Sequence, residues 1–267
     1  MDVARSSRAG FGLRASGFGL QVMLVLACSG NKTTPKVVHD DARRDANAID
    51  ASLHVEPGKG DVQIRVEWKD VPVDARASPG RTPCGTARSA AVAPTVTWGI
   101  GDVFVAIELP GTGSGSAHRV VVGDCTLAPR TLISTGTLAI ASAMQAPAKV
   151  TLQRAGALPL GSASKEDKPR EIYLPIAGHE VEVAIDAGGI YRIAAAEETA
   201  WIVATDSPYV AVTEPSGTVV LKNVPAGTHA VTAWLPPRAG QAARTVHGTV
   251  TLAAGGFGEV TLDITKP

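Results

Sequence analysis

The chain has 267 residues, with 25 Lys and Arg against 25 Asp and Glu, so its formal net charge is zero, and 45% of it is hydrophobic. That apolar content can fill a packed core and excludes a disordered chain, while the balanced charge excludes the basic field that a nucleic-acid partner requires. Aromatic residues make up only 4%, whereas 28 glycines and 18 prolines interrupt the sequence often enough for many short strands, which points to an all-β protein.

Arg5, Arg8 and Arg14 precede a short apolar run over 17–27, which ends in Val25-Leu26-Ala27-Cys28. This ending resembles the lipobox of bacterial lipoproteins. The resemblance implies that residues 1–27 are a signal peptide and that Cys28 becomes the acylated first residue of the mature chain. The alternative is an ordinary secretory signal whose Cys28 is incidental. Acyl chains on Cys28 would hold the protein to a membrane without spanning it, each buried methylene contributing about 0.8 kcal/mol. The membrane is thus a partner through Cys28, and the expected address is the bacterial cell envelope, at the outer membrane, on its periplasmic or surface face. Loss of residues 1–27 removes Arg5, Arg8, Arg14 and Asp2 and leaves a formal net charge of −2. Two cysteines remain, Cys84 and Cys125, and export makes one disulfide between them the expectation. A thiolate metal site is the competing reading, but no CxxC or nearby His completes it.

Residues 28–60 are polar, mixed in charge and without a clean period, as a tether is; a coil of this length spans roughly 30 Å. His39, Asp40 and Asp41 read as a solvated cluster within it. From Asp61 to Pro267 the pattern is that of a β-sandwich region, with a possible internal boundary near 160–170. Val62, Ile64, Val66 and Trp68 alternate with Gln63, Arg65 and Glu67, so one face of the first strand is buried. A Gly/Pro/Arg-rich loop carries Cys84. Strands are predicted at 95–98, 103–109, 119–122, 131–134, 137–142, from Val150, and at 171–176, 180–185 and 190–193. The Ala194–Ala200 stretch, AAAEETA, is the one plausible helical turn.

The stretch 201–235 reads as a small antiparallel meander. Trp201, Ile202 and Val203 open an apolar run, and Glu214-Pro215-Ser216-Gly217 places Pro and Gly where a tight turn uses them. Beyond a second break at 223–227, His229, Val231, Ala233 and Leu235 share one face. Strands at 249–252 and 260–264 end the series. The expected fold is all-β, a two-sheet antiparallel β-sandwich.

Four segments carry a family resemblance. DCTLAPRTLISTGTLAIAS, AGHEVEVAIDAGGIYRI and WIVATDSPYVAVTEPSGTVVLKNVPAGTHAVTAWLP, with CGTARS at Cys84, resemble exported cupredoxin-like proteins related to the methylamine-utilisation type. The likeness covers most of residues 84–252 and is most specific in SPYVAVTEPSGT and NVPAGTH. The last piece also resembles the transthyretin-like regulatory domains appended to carboxypeptidases. Both imply a cupredoxin-like or transthyretin/Ig-like sandwich. Copper-binding members of the first family are expected to place a His after the strand TLAIAS, and a Cys, a second His and often a Met before the strand that begins at Trp201. No Cys or His occurs from Thr126 to Gly178, and no Cys, His or Met from Glu180 to Thr228. Ala148, Lys149, Ala195, Glu197 and Glu198 stand there instead, and Leu235 stands where a His often follows the Trp. The resemblance therefore supports the fold and argues against copper; no cofactor and no metal ligand is expected, and that end of the sandwich should be ordinary loop surface.

No GxSxG, HExxH or phosphate-loop motif is present, and the glycines of GTGSGS (111–116) do not open a helix with a Lys. His179, Glu180 and Glu182 read as the polar face of a strand, Glu197 and Glu198 as a solvated turn, and His118, His229 and His247 as scattered. Trp98 and Trp234 are expected in the core; Trp201 and Tyr209 are the candidates for a recognition surface. The reading that emerges is a non-catalytic envelope lipoprotein, a binding or structural module with an unidentified protein or envelope-polymer partner. The alternative is a copper-binding periplasmic electron carrier.

Overall fold

In the computed structural model, residues 57–69, 98–113, 118–162, 167–196, 198–238 and 242–265 are described, and no helix occurs among them. The strands are β1 (Lys59–Lys69), β2 (Phe104–Ile107), β3 (His118–Gly123), β4 (Thr126–Ala128), β5 (Thr131–Ser134), β6 (Thr137–Ser142), β7 (Ala148–Ala157) and β8 (Arg170–Leu174). They continue as β9 (Glu180–Ala184), β10 (Gly189–Ala195), β11 (Glu198–Ala204), β12 (Val210–Val212), β13 (Thr218–Pro225), β14 (Gly227–Leu235), β15 (Arg244–Leu252) and β16 (Phe257–Thr265).

These strands form four sheets with the orders β13-β1-β16, β12-β2-β14-β15, β5-β11-β10-β7-β8 and β4-β3-β6-β9. The first two enclose one core, built on Val62, Ile64 and Val66 from one side and Val231, Ala233 and Val250 from the other. The last two enclose a second, where Val120, Leu138 and Ile140 meet Val150, Ile193 and Ile202. The fold is therefore all-β and sandwich-like, as composition and periodicity indicate, but a single two-sheet antiparallel sandwich is not what forms. There are two pairs of sheets. Among the described residues three strand pairs are parallel, β1 with β16, β3 with β6 and β11 with β5.

Chain order explains the arrangement. The sandwich that contains β1 and β2 is completed only by β12–β16, and the other, β3–β11, is inserted between them. The stretch near 160–170 joins β7 to β8, which are neighbours in one sheet. Two connections cross between the sandwiches and run side by side, with the Gly113 N–H donating to the Asp206 carbonyl.

The 201–235 stretch is not a meander. β11, β12, β13 and β14 alternate among three sheets: β12 and β14 both pair with β2, while β13 pairs with β1. The 214–217 turn does form, closed by hydrogen bonds from Glu214 N to Thr218 O (2.9 Å) and from Gly217 N to Glu214 O (2.8 Å). It carries the chain from one sheet across to the facing one instead of folding a strand back on its neighbour. Gly217 has φ of +83°, and a Cβ there would lie 2.5 Å from both Gly99 Cα and Val66 O. Only glycine closes that corner. The expected helical turn at Ala194–Ala200 is likewise corrected: β10 runs to Ala195 and β11 starts at Glu198, pairing Ala195 with Glu198 and Ala194 with Thr199. Ladder hydrogen bonds to β7 and β5 on either side outweigh the helix propensity of alanine.

Candidate functional site at the junction of the two sandwiches

Strands β2, β11 and the second half of β14 are buried on both faces, because the two inner sheets pack on their own cores with one face and on each other with the opposite one. Along β2, Val105 and Ile107 enter the first core while Phe104 and Ala106 point into the junction. Along β11, Ile202 and Ala204 enter the second core while Trp201 and Val203 point into the junction. Continuous apolar runs such as Trp201-Ile202-Val203 are what a strand buried on both sides requires. Trp234 of β14 completes the layer: its ring stacks on Phe104 at 5.7 Å between centroids and takes the edge of Trp201 at 5.5 Å and 88°. The indole N–H of Trp201 donates to the Pro237 carbonyl at 3.3 Å, tying the two sandwiches through a polar contact as well.

One end of this layer is charged. Asp102, held in a left-handed conformation (φ 60°) just before β2, accepts a hydrogen bond from the Thr131 hydroxyl of the inserted sandwich at 3.1 Å. Its other carboxylate oxygen lies 3.4 Å from Arg238, and Arg130 pairs with Glu198 at 2.8 Å. The Arg238 side chain is only 5% exposed, and none of its three guanidinium nitrogens has a hydrogen-bond acceptor in good geometry. Burial pushes its pKa below the usual arginine value, the Asp102 charge works in the opposite direction, and Arg130 adds to the lowering. The opposite end is apolar. A cleft of about 380 Å³ lies among Ile107, Leu109, Leu158, Leu160 and Val210, contributed by both sandwiches. Its hydroxyls face the protein: Thr205 accepts from the Ser207 N–H at 3.1 Å, and Thr232 bonds His247 Nδ1 at 3.0 Å.

A larger groove, about 660 Å³, opens on the first sandwich between β12 and β13. Tyr209, Val210 and Leu221 line it together with Lys59, Lys222 and Asn223, and the Tyr209 hydroxyl donates across it to the Asn223 carbonyl at 3.5 Å.

The two residues expected to form a recognition surface are thus separated. Trp201 is 7% exposed and belongs to the junction core, so it presents no surface; a junction between inner sheets takes aromatic bulk that an isolated sandwich would show to solvent. Tyr209 is 8% exposed, with most of its ring in the first core and one edge on the groove. Cys28, Cys84, His39, Asp40, Asp41 and Glu197 lie outside the described residues. Cys125 occupies the turn between β3 and β4, with φ of 54°.

The segment expected to be loop surface is corrected too. Ala148 is buried at the start of β7, paired with Leu174, and Glu198 is buried against Arg130 rather than solvated. Glu180 pairs with Arg119 at 3.0 Å on the exposed side of β9, and Glu182 is exposed. His229 bonds the Pro225 carbonyl at 2.7 Å, away from the His247 and Thr232 pair. Among the described residues no group of three or more His, Cys, Asp or Glu could hold a metal ion.

Comparison with protein-family models, with curated proteins and with solved structures finds no match to this chain. Its sites are therefore read from its own geometry. Asp102, Arg130 and Arg238 carried no sequence signal that separated them from surface charges. Glu198 did, since alternation puts it on the face of Ala200, Ile202 and Ala204, where a carboxylate requires a cationic partner.

Proposed function

We propose that this chain is a non-catalytic lipoprotein of the bacterial envelope, held by an acylated Cys28 and a tether that ends before β1, and that its paired sandwiches serve as a binding or structural module. The sandwiches are of the cupredoxin-like or transthyretin-like kind, without copper. The observation that carries this reading is the junction: its polar contacts, Thr131 to Asp102 and Trp201 to Pro237, cross from one sandwich to the other, and its charges, Asp102 with Arg238 and Arg130 with Glu198, pair within each sandwich instead of facing an open pocket. Polar groups used in this way hold two bodies in register. A bridge between Cys84 and Cys125 belongs to the same proposal, and the engaged state of the Cys125 sulfur supports it.

The test is fractionation. The parent protein should partition with membranes, and Cys28→Ser should either release it or stall its processing. A Cys28→Ser protein that matures and fractionates like the parent overturns the anchor. Stoichiometric copper at submicromolar affinity, abolished by replacing any one His, overturns the non-metal reading.

A further inference from the structure

We infer that the open edge of β13 is a docking site for an extended acidic peptide segment, which adds as a further strand in the groove beside Tyr209. The inference goes beyond the envelope-module reading and does not depend on the anchor at Cys28.

Among the described residues β13 is the end strand of its sheet, paired only with β1; Thr218 already bonds the Glu214 N–H and the Ser216 hydroxyl, so the stretch it offers begins at Val219. The hydrogen-bond direction of each residue follows from the register. Val66 N donates to Gly217 O at 2.8 Å, and Val219 and Leu221 stand opposite Ile64 and Val62. In an antiparallel ladder, residues that bond the partner strand alternate with residues whose N–H and C=O face away. Val219 and Leu221 therefore bond β1, and Val220 and Lys222 direct their backbone groups into the groove.

The groove wraps that edge, because its lining includes Leu221 from the core side and Val220 and Lys222 from the outer side. Its far wall is Pro208, Tyr209 and Val210, at the end strand β12 of the facing sheet. A backbone laid there would meet a row of strand-edge donors and acceptors on one side and apolar side chains on the other, the combination that strand addition uses. Val220 is 42% exposed, a large apolar side chain at the mouth of the groove. Charge selects the occupant: Lys222 stands exposed in the lining, and no acid lines the groove among the described residues. A peptide that alternates apolar and acidic residues places its apolar set on the inner side, against Tyr209, and its acidic set on the outer side, beside Val220 and Lys222.

The experiment measures fluorescence anisotropy of labelled ten-residue peptides, alternating Val with Glu or Val with Lys, against the full chain in detergent. The Val/Glu peptide should bind and the Val/Lys peptide should not. Lys222→Glu should weaken the first by about tenfold and admit the second. Val220→Pro removes a groove-facing N–H, leaves the β1 ladder intact, and should abolish binding at unchanged melting temperature. Equal binding of both peptides, or none, overturns the inference and leaves Lys222 as a guard that keeps the edge unpaired. Concentration-dependent dimerisation that Val220→Pro removes would also overturn it, by assigning the edge to a second copy of the chain.

Discussion

Replacing Trp234 with Ala tests whether the aromatic layer is what couples the two sandwiches. Trp234 is 6% exposed and touches both other aromatic members of the junction, Phe104 and Trp201. Truncating a buried Trp costs about 3–5 kcal/mol, and each aromatic pair adds roughly 0.5–1.5 kcal/mol beyond its buried area. A loss of about 5 kcal/mol would be a large share of the total stability of a domain, which is of order 5–15 kcal/mol. The assay is urea unfolding followed by two probes. Hydrogen exchange at the β1 amides around Ile64, buried in the first core, reports that sandwich, while far-ultraviolet circular dichroism reports both. In the parent the two transitions should coincide; in Trp234→Ala they should separate, because each core then unfolds on its own account. Leu235→Ala, next along β14 but inside the first core, supplies the control: it should lower the midpoint by a comparable amount without separating the probes. A cost below about 1 kcal/mol for Trp234→Ala, or coincident transitions, would refute the reasoning.

The charged end yields a paired expectation. Arg238→Met should leave stability within about 1 kcal/mol, since the guanidinium is poorly bonded and Asp102 keeps both Thr131 and water, whereas Arg130→Met should cost about 3 kcal/mol by stranding the buried Glu198; urea midpoints decide between them. Gly217→Ala should cost roughly 2 kcal/mol or more, through its φ of +83° and the missing room beside Gly99, and a melting curve within a degree of the parent would contradict the tight corner. Cys84 and Cys125 should resist alkylation until reduced, and Cys125→Ser should lose roughly 4 kcal/mol on the chain-entropy account; free thiols in the folded protein would refute the bridge.

Where strands lie was legible, and which strands pair was not. The alternation in Val62–Trp68 marked β1, and the apolar positions around Thr137–Ser142 marked β6, because side-chain period is written residue by residue. Nothing local in the Glu214–Gly217 turn distinguishes a hairpin from an arch between facing sheets; the difference is made by Gly99 and Val66, far away in sequence. The same limit misassigned Trp201. Its apolar run signals burial, but the face that covers it, Phe104 and Trp234, comes from strands of the other sandwich. Alanine-rich Ala194–Ala200 misled in the opposite way, since local propensity was the weaker term once β7 and β5 supplied ladder partners.

The parallel pairing of β1 with β16 also dictates an order of assembly. Ile64 sits beside Val260, so the first described strand to emerge, from the ribosome or across a membrane, waits for the last described one before its sheet can close. The inserted strands β3–β11 face no such delay, for all their partners lie within one continuous stretch. Vectorial emergence thus leaves β1, with its stripe of Val62, Ile64 and Val66, unsatisfied while the middle of the chain is already folded. For that interval the nascent chain carries its own aggregation hazard, and a chaperone that shields a short, alternating apolar segment near residue 64 would act at the step where the chain most needs it.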